Sequence, residues 1–157
     1  MYLIDTSVWI AYLRQQTNAT TQYFSEIINR KYPYGITSVI YQEILQGAAS
    51  NHDFEQLTTY FSTQRFYHPK DAILSYQTAA EIYFKCQRKG VTLRSTIDCL
   101  IAQIAIEYEL ILLHNDKDYD RISKIIPSPL LPFPLFIHLS TNSIVLYFIE
   151  PLAGSAT

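Results

Sequence analysis

The chain has 157 residues, enough to bury a core and most simply read as one domain. Its 48% hydrophobic and 17% charged content excludes a disordered protein. A formal net charge of −2 excludes nucleic-acid binding through overall charge, so any such contact needs a local basic patch or metal ions. Thirteen tyrosines offer stacking and hydrogen bonding to a partner, or simple packing. Cys86 and Cys99 match no zinc or redox spacing and read as two buried free thiols of a cytosolic chain. The start of the chain lacks a basic stretch followed by an apolar one, so no signal peptide is expected. The apolar tail over 125–149 is broken by Pro127, Pro129, Pro132 and Pro134 and by the polar stretch 140–143, which argues against a membrane-spanning helix.

The first element is a short strand, Tyr2-Leu3-Ile4, whose continuous apolar run reads as buried on both faces. Asp5 stands at its carboxyl end, where open parallel sheets place ligand sites, and Thr6 and Ser7 begin the next helix. Asp5 or Thr6 is equally readable as a helix cap. Helices are expected over 7–14 and 20–30, the second on Tyr23, Phe24, Ile27 and Ile28. After the turn at Pro33-Tyr34-Gly35, a short strand at Ile36-Thr37 leads to a helix that Ser38 caps and Gly47 helps to end. A fourth helix runs from Asn51 or Asp53 toward Arg65, and Phe66-Tyr67 forms a short strand. His68-Pro69 breaks the chain, and Lys70 or Asp71 opens a long helix ending near Gly90.

The 3.6-residue period of Ile97, Leu100, Ile101, Ile104, Ala105 and Tyr108 predicts a helix from Ser95 or Thr96. Leu110-Ile111-Leu112-Leu113 is a second buried strand, ending at His114-Asn115-Asp116, and the last helix covers 117–126. Strands are expected over 135–139 and 144–149. Alternating helices and short strands predict an α/β domain, a mostly parallel sheet with helices on both faces.

Four acids recur in similar places. Asp5 and Asp116 each follow a buried strand, Asp98 sits in the first turn of a helix, and Glu43 lies one turn beyond Val39. Singly each has an ordinary reading: Ser95-x-x-Asp98 as a capping box, Asp116 as a cap, Glu43 as an exposed charge. Together they form a cluster whose repulsion calls for cations, and hard oxygen ligands suit Mg²⁺ or Mn²⁺. Such an ion can activate water and neutralise a phosphate, and whether one ion or two bind stays open.

The chain resembles the PIN-domain ribonucleases, specifically the VapC-type toxins of toxin–antitoxin pairs. The likeness rests on four blocks in family order: Leu3-Ile4-Asp5-Thr6-Ser7-Val8-Trp9, Thr37-Ser38-Val39-Ile40-Tyr41-Gln42-Glu43-Ile44-Leu45-Gln46-Gly47, Ser95-Thr96-Ile97-Asp98-Cys99-Leu100-Ile101-Ala102, and Leu112-Leu113-His114-Asn115-Asp116-Lys117-Asp118-Tyr119. The resemblance covers 1–126, the expected PIN-like core. Residues 127–157 are expected to continue the same domain as an atypical C-terminal strand and tail. The resemblance implies Mg²⁺- or Mn²⁺-dependent endonuclease activity on RNA, and the mechanism expected here is in-line attack by an activated water that leaves a 5′-phosphate and a 3′-hydroxyl. Asp5, Glu43, Asp98 and Asp116 then form the catalytic and metal site, with Thr6 supporting it. Asp118 matches a second acid that often follows the fourth, and Tyr119 stands where the family usually has Phe. A homodimer in the cytoplasm and a cognate VapB-type antitoxin, presenting an Arg or Lys to the acids, are implied as partners.

Lys85, Arg88, Lys89 and Arg94 precede Asp98 and are candidate contacts to RNA phosphates, or else a solvated helix end. Arg14 is a weaker candidate of the same kind. His114 is expected to pack locally, and Trp9 and Tyr12 to serve the core or a dimer contact. The alternative to an active enzyme is a catalytically silent PIN-like module that binds RNA or protein. An aspartyl-nucleophile phosphohydrolase ranks below both, because that chemistry needs a second Asp where Ser7 stands.

Overall fold

The structure is a computed structural model that describes residues 1–126 in full and the backbone of 136–140 and 143–146. Six strands form one sheet in the order β3-β2-β1-β4-β5-β6. They are β1 (Tyr2–Ile4), β2 (Tyr34–Thr37), β3 (Phe66–Tyr67), β4 (Ile111–His114), β5 (Phe136–Ser140) and β6 (Ser143–Leu146). Every pairing is parallel except the last, where β6 turns back on β5. The expected sheet is therefore present, and the extra strand after the 130s pairs at its edge. The expectations that fall on 127–135, 141–142 and 147–157 lie outside the described residues.

Helices α1 (Thr6–Leu13), α2 (Ala19–Asn29), α3 (Ser38–Gln46) and α4 (Asn51–Phe61) link β1, β2 and β3 and pack on one another. Helices α5 (Leu74–Arg88), α6 (Ile97–Glu107) and α7 (Lys117–Ser123) form a second group around β4. The strand order explains the split. From β1 the chain steps outward through β2 to β3, then crosses back to β4 on the other side of β1. Right-handed crossovers in opposite directions put the two helix groups on opposite faces. The reversal lies between β1 and β4, the switch point at which open α/β sheets leave a crevice beyond their strand ends.

The core follows from the apolar runs. Leu3, Ile4, Leu112 and Leu113 are fully buried, as expected for central strands covered on both faces. Trp9 anchors the first helix group, meeting Phe24 and Phe61 edge-to-face at centroid distances of 4.7 and 4.8 Å. Tyr12 packs on Trp9 and Phe24, so both aromatics serve the core. Gly35 is dictated by space: a Cβ there would lie 2.4 Å from the Arg65 carbonyl oxygen, so only glycine lets β2 approach β3. Cys86 and Cys99 are buried free thiols.

Several boundaries moved for local reasons. Asp71 accepts hydrogen bonds from the backbone N–H groups of Ile73 and Leu74, holding residues 70–73 as a turn, so α5 starts at Leu74 rather than at Lys70 or Asp71. Thr37, not Ser38, caps α3. Ser50 caps α4. No helix among the described residues is long and apolar enough to cross a membrane.

Candidate active site

Asp5 follows the last residue of β1 and is the N-cap of α1. Its Oδ2 accepts from the Ser7 backbone N–H at 2.9 Å and from Ser7 Oγ at 2.6 Å, so the capping role is real. Its Oδ1 accepts from the Tyr119 hydroxyl at 2.9 Å. A carboxylate offers about four lone-pair directions. Three are taken, which leaves one on Oδ1 for a ligand. Burial pushes the Asp5 carboxyl upward, opposed by the bonds from Ser7 and Tyr119, and nearby Asp116 adds to the rise.

Ser7 also ties the two central strands together. Its Oγ accepts from the Asn115 backbone N–H at 2.9 Å, which joins the end of β4 to the start of α1. Glu43 reaches the same edge from α3, where Thr6 Oγ1 donates to its Oε2. Burial raises the Glu43 carboxyl, the Thr6 bond lowers it, and the charge of Asp5 raises it again.

Asp98 lies in the first turn of α6, which begins with Thr96 at its N-cap and no side-chain cap bond, so the capping box that its sequence allowed is not formed. Its carboxyl is pushed up to about 7, first by burial and then by the charges of Asp5, Asp116, Asp118 and Glu43. Four separate segments thus bring like charges within electrostatic reach of one another.

Asp116 caps α7, accepting from the Asp118 backbone N–H at 2.9 Å. Its Oδ1 also meets the Arg94 guanidinium. Asp118 is fully buried. Its Oδ2 accepts from the Arg94 backbone N–H at 2.8 Å and from Arg94 Nε at 3.2 Å, and its Oδ1 from Arg121 Nη1 at 2.6 Å. Burial works to raise the Asp118 carboxyl, but these bonds and the Arg94 charge outweigh it and hold the group below the usual range. Both oxygens face arginine. His114 is buried beside Tyr119, with ring centroids 5.0 Å apart, and its Nδ1 accepts from the Asp116 backbone N–H at 3.4 Å. It packs locally, as expected.

Among the described residues no three acidic, histidine or cysteine side chains stand close enough to hold an ion together. The chemistry of the donors nevertheless suits a hard divalent cation. They are carboxylates, and the Asp98 carboxyl is pushed up to about 7 by burial and then by the charges of its acidic neighbours, which a cation would offset. In this arrangement fewer than three side chains would reach an ion directly and water would complete its shell, a habit of Mg²⁺.

The candidate cations are scattered. Lys85 and Arg88 lie in the last turn of α5, where Lys85 faces Glu81 at 3.8 Å, and Lys89 is the C-cap. Arg14 is the C-cap of α1 and lines an apolar groove there. Of these candidates, Arg94 alone touches Asp116 or Asp118 among the described residues, and Arg121, which was not a candidate, also binds Asp118. Two groups went unrecognised in the sequence reading. Ser7, next to the first acid, braces both Asp5 and Asn115. Tyr119 was visible only as an oddity in a motif.

Tyr119→Phe tests the brace on Asp5. Both residues are buried, so the lost hydrogen bond leaves the carboxylate short of a donor at a cost of about 1–2 kcal/mol. Denaturant unfolding at pH 8 is expected to show that loss. The loss shrinks at pH 4, because an acid whose folded pKa rises further is penalised only where the unfolded chain would ionise it. An equal loss at both pH values would mean that the phenol matters only for packing.

Residues 2–125 match the family model described as PIN domain. A VapC ribonuclease of Mycobacterium bovis, Mb1587, and ribonuclease VapC11 of Mycobacterium tuberculosis are each 32% identical over 126 residues, covering 80% of this chain and 93% of theirs. Among solved structures, VapBC-1 of nontypeable Haemophilus influenzae aligns at a TM-score of 0.62 and 18% identity, over 79% of this chain and 93% of that one. VapBC2 of Rickettsia felis, bound to a promoter DNA fragment, aligns at 0.58 and 18%, over 81% and 93%. These structural likenesses speak for the fold, and the sequence match speaks for descent. The chain belongs to the PIN-domain family and, within it, to the VapC group.

Proposed function

We propose that this chain is a divalent-metal-dependent endoribonuclease toxin, acting in the cytoplasm and neutralised by a VapB-type antitoxin. What supports the reading is that the Asp98 carboxyl, raised to about 7 by burial, also feels the charges of Asp5, Asp116 and Glu43, acids that follow or flank the strands at the switch point of the sheet. Asp5 and Asp98 would hold Mg²⁺ or Mn²⁺, with Glu43 and Asp116 completing the acidic wall. When bound, the ion would supply Lewis-acid activation of water and neutralise charge on the phosphodiester.

The chain's own residues prepare the rest. Ser7 and Tyr119 set the angle of the Asp5 carboxylate. Thr6 engages Oε2 of Glu43 and leaves Oε1 to take a proton from the attacking water. Burial, which raises the Glu43 carboxyl, makes it a better base than an exposed glutamate. In-line cleavage then leaves a 5′-phosphate and a 3′-hydroxyl. Asp118 is proposed as an anchor rather than a ligand, since arginines occupy both of its oxygens.

Antitoxin binding is supported by structural neighbours that are VapBC or toxin–antitoxin complexes, those of Rickettsia felis, Haemophilus influenzae and Klebsiella pneumoniae among them. In this chain a groove of about 660 Å³, lined by Ile10, Leu13, Ile44, Leu57 and Tyr60, suits an apolar segment, and a cation on that segment would complement the acids. A homodimer follows from the family resemblance alone. The chain past Ile126 is taken to continue the same domain, since β5 and β6 extend the one sheet.

The ion pair between Arg94 and Asp116 favours one other reading, a module in which that cation permanently replaces the metal and RNA is bound but not cut. One experiment separates the two. Purified chain is incubated with single-stranded RNA and Mg²⁺ or Mn²⁺, beside Asp5→Asn and an EDTA control, with folding checked by circular dichroism. Cleavage that EDTA stops and Asp5→Asn lowers at least about 100-fold is expected. RNA bound by the parent without cleavage, or undiminished cleavage by Asp5→Asn, would overturn the proposal.

A further inference from the structure

Beside the acids lies a cleft of about 420 Å³ that the mechanism does not use. It is lined by Arg94, Asn115, Asp116, Lys117 and Arg121. Three cations and one carboxylate line it, in a chain whose net charge is −2. Two guanidinium groups held side by side repel one another, and the structure accepts that cost by placing a fully buried carboxylate behind them. Asp118 binds Arg94 through Oδ2 and Arg121 through Oδ1, and the Thr92 carbonyl adds a second acceptor for Arg121 at 3.3 Å.

The arginine side chains nevertheless remain 68% and 45% exposed. Each guanidinium has five N–H donors, and the bonds to Asp118, Asp116 and Thr92 leave donors on both. Lys117 and Asn115 are exposed on the same rim, and the Asn115 backbone is tied to Ser7, the residue that braces Asp5. The result is a set of donors aimed outward, preorganised by a buried anchor and sharing Asp116 with the acidic cluster. Planar, bidentate donors of this kind suit phosphate oxygens.

We propose that this cleft is a phosphate subsite of the RNA path, taking a phosphodiester next to the one presented to Asp5 and Asp98. The inference rests on the endoribonuclease reading and deepens it. Arg94 is the exchangeable member, paired with Asp116 while no substrate is present and turned to the RNA backbone when it arrives. Lys117 and Arg121 complete the subsite, and the α5 cations Lys85, Arg88 and Lys89 lie outside it. The track thus passes over the start of α7, not along the end of α5.

The test measures equilibrium binding of a fluorescein-labelled single-stranded RNA of mixed sequence over a series of salt concentrations. Asp98→Asn serves as the background so that the probe stays intact. Lys117 makes no ion pair among the described residues, so Lys117→Ala should keep the fold. It is expected to weaken binding about 3- to 10-fold and to reduce the slope of log K against log salt by about 0.7, the loss of one single-strand phosphate contact. Arg121→Gln is expected to do the same, with Arg121→Lys recovering part of the slope. Lys85→Ala and Arg88→Ala are expected to change neither quantity.

Unchanged affinity and slope in Lys117→Ala would overturn the subsite, whatever happens to the Arg121 variants. If the parent chain still binds and cuts RNA in that case, the endoribonuclease reading survives alone. A parent chain that neither binds nor cuts RNA would overturn both.

Discussion

Asp98→Asn is expected to abolish RNA cleavage, by at least about 100-fold, while making the ion-free protein more stable. The two effects have one cause. Burial and four acidic neighbours raise the Asp98 carboxyl to about 7. An acid whose folded pKa is raised binds its proton more tightly in the folded chain than in the unfolded one. Its penalty is therefore absent below the ordinary carboxylate range, grows as pH rises from about 4 to about 7, and is complete above that. Asparagine keeps the shape and removes the charge. At pH 8 without divalent cations the variant should gain about 1–2 kcal/mol, or roughly 3–6 °C in melting temperature for a chain of this size. At pH 4 the gain should vanish. Mg²⁺ should stabilise the parent more than the variant, because relief of the same repulsion is what the cation would offer. Calorimetric scans at the two pH values, with and without Mg²⁺, check all of this. A variant that loses cleavage together with stability at pH 8 would mean that Asp98 is only a structural residue.

Asp118→Ala should behave in the opposite way, although Asp118 lies only two residues beyond Asp116. Its carboxylate is fully buried and answers two arginines and a backbone N–H. Removing it leaves the Arg94 N–H without its acceptor and sets two neighbouring guanidinium groups against each other. A loss of about 2–4 kcal/mol is expected, below the upper range for broken buried pairs because both arginine heads reach water. The pH dependence is also reversed. The folded pKa of Asp118 is lowered, so its contribution is present above the ordinary carboxylate range and disappears as pH falls through the lowered value. Urea unfolding at pH 8 and pH 3 reads the difference between parent and variant. If Asp118 were a metal ligand and not an anchor, its replacement would resemble that of Asp98: lost cleavage, with stability unchanged or improved in the absence of ions.

These two variants also show where a linear reading stops. The strands at 2–4 and 111–114 were legible because the short apolar runs Tyr2-Leu3-Ile4 and Leu110-Ile111-Leu112-Leu113 have few other homes. The helix over Ile97–Glu107 was legible from its period. The four acids stand out as candidates because their residue types and flanking blocks match a family. Between Asp116 and Asp118 the sequence offers only nearness to the strand end, which ranks Asp116 first, since both follow the same strand and have the same side chain. What separates them is depth: Asp118 lies beneath Arg94 and Arg121, and Asp116 lies at the rim. The Tyr119 hydroxyl shows the same limit, because a phenol in the place of a Phe acquires meaning only when Asp5, 114 positions earlier, is found 2.9 Å away.

The sequence by itself determined the elements and their order, because hydrophobic period, turn residues and caps are local. It also singled out the candidate acids. The tertiary structure alone decided which of them repel each other and which are satisfied, and which cations stand beside them. Those outcomes depend on burial and on distances between segments far apart in the chain. Coulomb energy and desolvation are functions of position in space, and position along the chain does not supply it.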